Sequence, residues 1–312
     1  MTARFDTLIR PSAGADYRAQ SNHRKVGFAL AFVGLMVLAV TLIANIVAAN
    51  DSNSLSAVET LAWSFGLTTV GLGTIKLAIS VILIGILVRL WLRIDAIKES
   101  LPGLKAETKS LTPRGDIDTP YGKATETADI PDQLPVHRMA RTMWFPMVAM
   151  GYMLVIVGGF ISLAWSSALS DGTHQAAQAW TAGVQFLGEG MLLAGISFLL
   201  GSILASLRSG GGEVQKGLGV PIQTLKMPIT AKLFVGFMAL GLMLSMAQFL
   251  LYIVAAGVDS SQSFASWLAW LGPLREFALG SLLTGIVLAL VTIGNVLRFQ
   301  FDMVTDFVRT GR

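Results

Sequence analysis

Apolar residues in this chain gather into six long runs, at 26–49, 74–94, 143–168, 182–207, 232–256 and 274–299. Each matches or exceeds the roughly 20 residues that carry a helix across the apolar core of a bilayer. The pattern predicts six membrane-spanning helices. The first run, at 24 residues, outlasts the apolar stretch of about 7–15 residues in a signal peptide and reads as a span. From 95 to 136 the pattern breaks down: both charge signs mix with Pro102, Pro113, Pro120, Pro131 and Pro135. Such a composition predicts a flexible linker or docking strap.

The runs repeat in pairs. Shifts of 117 and then 90 residues superimpose Gly34, Gly151 and Gly241 in the odd-numbered runs, together with Met36, Met153 and Met243. The same shifts superimpose Gly73, Gly190 and Gly280 in the even runs, each preceded by an Ala-Trp pair at Trp63, Trp180 and Trp270. Ile79, Leu83, Ile86 and Leu90 then align with Ile196, Leu200, Ile203 and Leu207, and with Ile286, Leu290, Ile293 and Leu297. Their four-three-four spacing marks one face of a helix. The six glycines are candidate packing positions, because a residue without Cβ lets two helix backbones approach closely in lipid. The outer segments of the hairpins are long enough for short interfacial helices.

The fold class that follows is an all-α integral membrane protein, its six transmembrane helices forming three repeated hairpins about a pseudo-threefold axis. Its segments are an N-terminal tail at 1–25, hairpins at 26–94, 143–208 and 232–299, a flexible linker at 95–142, a loop at 209–231 and a C-terminal tail at 300–312.

Composition agrees with this reading: 53% of the 312 residues are hydrophobic and 13% charged, against about 25% charged in soluble domains. A water-soluble enzyme is thereby excluded. Twenty-one of the 23 basic residues lie in the N-terminal tail and in the segments 89–141, 208–232 and 298–312. The segments 50–66, 169–183 and 257–273 contain no Lys or Arg, only Asp51, Glu59, Asp171 and Asp259. Basic residues stay on the cytoplasmic side, so both termini are expected in the cytoplasm, in a bacterial inner membrane. The net charge of +4 is a topology signal and implies no nucleic-acid partner.

The two remaining cations, Lys76 and Arg275, sit at spans with Glu189 and Glu276. Ionisable groups at that depth are costly and are candidate functional positions. They do not occupy equivalent repeat positions, so a Lys76–Glu189 pair across the bundle is one expectation and a role in transport another. Asn45, Gln185 and Gln248 are expected to join helices. Residues Thr68-Thr69-Val70-Gly71-Leu72-Gly73-Thr74 resemble the selectivity filter of potassium channels. They depart from it at Leu72, where an aromatic belongs, and at Thr74, where an acid belongs, and a small-residue helix face is the reading they support. Met36, Met153 and Met243 are similar in chemical type to the methionine triad of copper-uptake transporters, but without its spacing they read as core fillers.

The chain has no cysteine, and His23, His137 and His174 fall in segments that cannot share a metal. No nucleophile–base pair is visible, and Gly210-Gly211-Gly212 is not followed by the Lys-Ser/Thr of a phosphate loop. No catalytic residue, metal or cofactor is expected. The reading that remains is a non-catalytic, multi-pass accessory or assembly subunit of a larger membrane complex, in contact with the bilayer and with other membrane subunits. The alternative is a small-solute or ion channel or transporter with a path between the three even helices.

Overall fold

Long uninterrupted runs of Leu, Ile, Val, Ala and Gly satisfy their backbone polar groups within the segment only as helices, the one open-chain solution available in lipid. The computed structural model describes residues 20–49, 54–100, 115–130, 132–165, 171–258 and 260–310. Asp51, Asp259 and residues 1–19 of the N-terminal tail lie outside these. The described chain is mostly helical, with α1 (Gln20–Ala49), α2 (Ser54–Ser100), α3 (Pro135–Trp165), α4 (Asp171–Leu218), α5 (Ile229–Ala256) and α6 (Ser261–Thr310). All six are long and apolar enough to cross a membrane.

The even helices differ from expectation in length. Residues 54–66, 171–183 and 261–273 are not separate interfacial helices; they are the first turns of single helices of 47, 48 and 50 residues. At 1.5 Å per residue each extends about 70 Å, well beyond a ~30 Å apolar core. Residues 300–310, read as part of a tail, continue α6.

Each odd helix packs along the even helix that follows it, and glycine sets the depth of contact. A Cβ at Gly34 would stand 2.7 Å from Gly71 O, one at Gly151 2.8 Å from Gly188 O, and one at Gly241 3.0 Å from Ala278 O. A second kind of contact joins each hairpin to the next. A Cβ at Gly73 of α2 would stand 2.8 Å from Val155 Cγ1 of α3, and one at Gly190 of α4 would stand 2.6 Å from Ser245 Cβ of α5. Among the described residues, nothing lies within 4 Å of the Cβ position of Gly280 in α6. Five of the six candidate packing glycines therefore sit at close helix approaches, and Gly280 does not.

The three hairpins are unequal in burial. α4 rests against α2, α3, α5 and α6, whereas α1 packs substantially only on α2. The most apolar window of α4 is 94% buried, against 39% for α2 and 33% for α6. The aligned apolar stripes diverge accordingly. Ile196, Leu200, Ile203 and Leu207 are buried in the main core, while Ile79, Ile86 and Leu290 face outward. The middle hairpin has a neighbour on both sides and the outer two have one, so identical residues at the aligned stripe positions are unequally buried.

The expectation of an all-α chain is corrected at one end. Within the segment 95–142, read as a flexible linker, β1 (Gly115–Thr119) and β2 (Gly122–Thr127) form an antiparallel hairpin. Pro120 suits the first corner of its turn, and Gly122 takes φ +120°, a conformation open to glycine. β2 also pairs with β3 (Ile222–Leu225) from the 209–231 loop, giving the order β1-β2-β3. The sheet joins two segments that the sequence kept apart. The bundle thus has a sheet end and, opposite it, a turn end where the hairpins reverse.

Candidate functional site

Glu189 lies on the most buried helix, and its side chain is 1% exposed. Both carboxylate oxygens are taken. Lys76 Nζ of α2 donates to Oε1 at 2.8 Å, and Arg275 NH2 of α6 donates to Oε2 at 2.8 Å. One ionisable side chain from each even helix therefore meets in a single cluster, with α4 supplying the acid in the middle. The Arg275 guanidinium also stands over the Phe186 ring at 5.9 Å, close enough for a cation–π contact. Lys76, Glu189 and Arg275 come together as candidates. Glu276 does not: it is exposed on α6, because neighbouring helix residues point about 100° apart.

The cluster carries two positive charges and one negative. A buried pair loses its attraction to desolvation unless its hydrogen bonds are complete, and here both acceptor oxygens are occupied. The arrangement fastens α2, α4 and α6 at one level near the turn end. Polar side chains nearby add to the fastening. Gln185 Nε2 of α4 donates to Gly66 O of α2 at 2.9 Å, Gln248 Nε2 of α5 donates to Leu271 O of α6 at 2.5 Å, and Ser64 Oγ of α2 donates to Asn45 Oδ1 of α1 at 2.5 Å.

Residues 68–74 are continuous helix within α2, with Gly71 and Gly73 at close approaches to α1 and α3. The filter-like stretch is a small-residue helix face. Met36, Met153 and Met243 are 50%, 63% and 69% exposed, so they line outward faces and are not the core fillers that the sequence suggested. Gly210, Gly211 and Gly212 are helical, and their missing side chains admit Ile94 of α2, Gln300 of α6 and Ile222 of β3 respectively.

A second candidate lies toward the sheet end. A cavity of about 90 Å³ opens over α4, between α3 and α5, with α6 behind it and β3 along its rim. Ser197, Gly201, Leu204 and Arg208 form its floor, spaced so that they share one face of α4. His137 of α3 lines the same cavity, and the charges of Arg208 and Arg141 act on it. Arg208 Nε is buried without a hydrogen-bond partner. The sequence treated Arg208 as a topology charge and His137 as isolated. The readable signal was a helix face that runs from small and apolar positions into a cation.

The sheet end is held by polar contacts. Lys226 Nζ donates to Asp116 Oδ2 at 2.6 Å, Lys216 Nζ donates to Asp129 Oδ1 at 2.9 Å, and Tyr121 donates its hydroxyl to the Asp302 carboxylate of α6. Lys226 holds the Asp116 carboxyl below its ordinary value, and Asp302 raises the Tyr121 hydroxyl.

No family model matches the chain, and neither a curated protein nor a solved structure matches it.

Proposed function

We propose that this chain is a non-catalytic accessory or assembly subunit of a larger membrane complex, built from three copies of one helical hairpin. In this reading it lies in a bacterial cytoplasmic membrane with both termini and the sheet on the cytoplasmic side, as the distribution of Lys and Arg supports.

One observation carries the proposal. The contact of Gly73 with Val155 and that of Gly190 with Ser245 are related by the same 117 and 90 residues that align the sequence. So are the contacts of Gly66 with Ser162 and of Gly183 with Tyr252. On α2 and α4 this face receives the next odd helix. On α6 the same face is bare at Gly280, between the exposed apolar side chains of Phe277, Leu283 and Val287. A further membrane-spanning helix, supplied by another subunit, fits where a fourth hairpin would begin.

The test is a mild-detergent pull-down from native membranes with quantitative mass spectrometry, run on the wild type, Gly280→Leu and Gly190→Leu. The wild type should bring stoichiometric larger membrane proteins. Gly280→Leu should lose them while its thermal unfolding stays unchanged, and Gly190→Leu should unfold early because its side chain has no room against Ser245. A clean monomer or homo-oligomer from the wild type would sink the subunit reading.

A second reading is favoured by the charge count of the cluster. With two cations on one carboxylate, a net positive charge remains within the membrane, and a small anion drawn to it would pass between the even helices. Liposome flux lost in both Glu189→Gln and Lys76→Met, with folding intact, would favour transport; flux unaltered in both would remove these residues from any mechanism.

A further inference from the structure

We propose that the cavity at the sheet end binds an anionic amphiphile, whose acidic head pairs with Arg208 beside His137 and whose apolar chain lies along α4 toward Ser197. Three observations about this cavity lead there. Its walls are largely apolar, with Phe234 and Met238 of α5 and Val296 of α6 facing the floor. Among the described residues no Asp or Glu lines it, and Arg208 Nε is buried without a partner. A buried guanidinium nitrogen left without an acceptor is costly, and a phosphate or carboxylate oxygen is the group whose geometry answers it.

Depth argues for an amphiphile over a free anion. Arg208 directly follows the apolar run 182–207, so its charge stands where the apolar depth ends and headgroups begin. From Arg208 back to Ser197 the floor runs about 16 Å at the helical rise per residue, into the depth that acyl chains occupy. α3 and α5 both rest on α4 without substantial packing on one another, which leaves the gap through which a chain enters sideways.

The test is native mass spectrometry of the full chain in detergent. The probes are phosphatidylglycerol, phosphatidylcholine of the same chains, oleate and inorganic phosphate. The variants are Arg208→Gln, Leu204→Trp and, as a control for surface charge, the exposed Arg138→Gln. Thermal unfolding of each variant controls for folding. Phosphatidylglycerol should bind about tenfold more tightly than phosphatidylcholine, whose choline ammonium offsets the phosphate charge that Arg208 attracts. Arg208→Gln should erase that preference, Leu204→Trp should weaken both lipids by occupying the floor, and Arg138→Gln should change nothing. If oleate binds with the same dependence on Arg208 and the phospholipid does not, the site holds with a free fatty acid as the source. Equal binding of the two phospholipids, a preference that survives Arg208→Gln, or inorganic phosphate binding as tightly as the lipids would overturn the proposal. Should Arg208→Gln fail to fold, the wild-type headgroup preference and Leu204→Trp still decide between these outcomes.

Discussion

At the scale of single residues, the ion cluster has an unequal charge count, and that inequality orders the effects of mutation. Glu189→Gln leaves two cations facing a neutral amide, and removing one partner from a buried ion pair costs about 3–5 kcal/mol. Lys76→Met leaves Arg275 and Glu189 as a balanced one-to-one pair and should cost much less. Thermal unfolding in detergent should therefore place Glu189→Gln well below Lys76→Met. Equal losses would mean that the cluster is held by packing and not by charge. Lys76 and Glu189 were legible in the sequence, since ionisable residues within apolar runs are few. The choice of Arg275 over Glu276 was not, because adjacent residues differ only in which way their helix is turned against α4.

Among elements, the sheet is the part that sequence concealed. β1 and β2 are short and rich in Gly, Asp and Thr, and their pairing partner β3 lies about a hundred residues further on, so neither alternation nor length announced them. Their hold on the bundle is electrostatic and hydrogen-bonded more than apolar. The Asp116 carboxyl is kept below the ordinary carboxylate value of about 4, first by its hydrogen bond to Lys226. A depressed carboxylate contributes above its unfolded value, and that contribution is lost as pH falls through the folded one. Lys226→Ala should accordingly speed amide exchange in residues 115–127 at pH 7, and the difference from wild type should vanish once the carboxyl is protonated. A difference persisting in acid would assign the effect to Lys226 packing instead of to the pair.

For the whole molecule, the six helices long and apolar enough to cross a membrane were readable because length and apolarity are written directly in the sequence. The central place of α4 was not readable. Its stripe matches those of α2 and α6 residue for residue, and only the order of hairpins, with one before it and one after, puts it inside. Opening free energies should follow that order. α1, which rests substantially on α2 alone, should exchange its amide hydrogens soonest, and residues 190–207 of α4 latest, since protection tracks buried contacts. Exchange from α1 slower than from residues 190–207 would overturn that order.

Joining the cluster from three helices also sets a sequence of events on the ribosome. Lys76 is made 113 residues before Glu189, so at about 5–20 residues per second it waits roughly 6–23 s for its counter-ion. Arg275 arrives 86 residues later still. The first hairpin thus enters the bilayer carrying an uncompensated cation, becomes neutral when the second arrives, and is locked by the third. The order of the three side chains therefore leaves Lys76 without this carboxylate partner until the second hairpin is made.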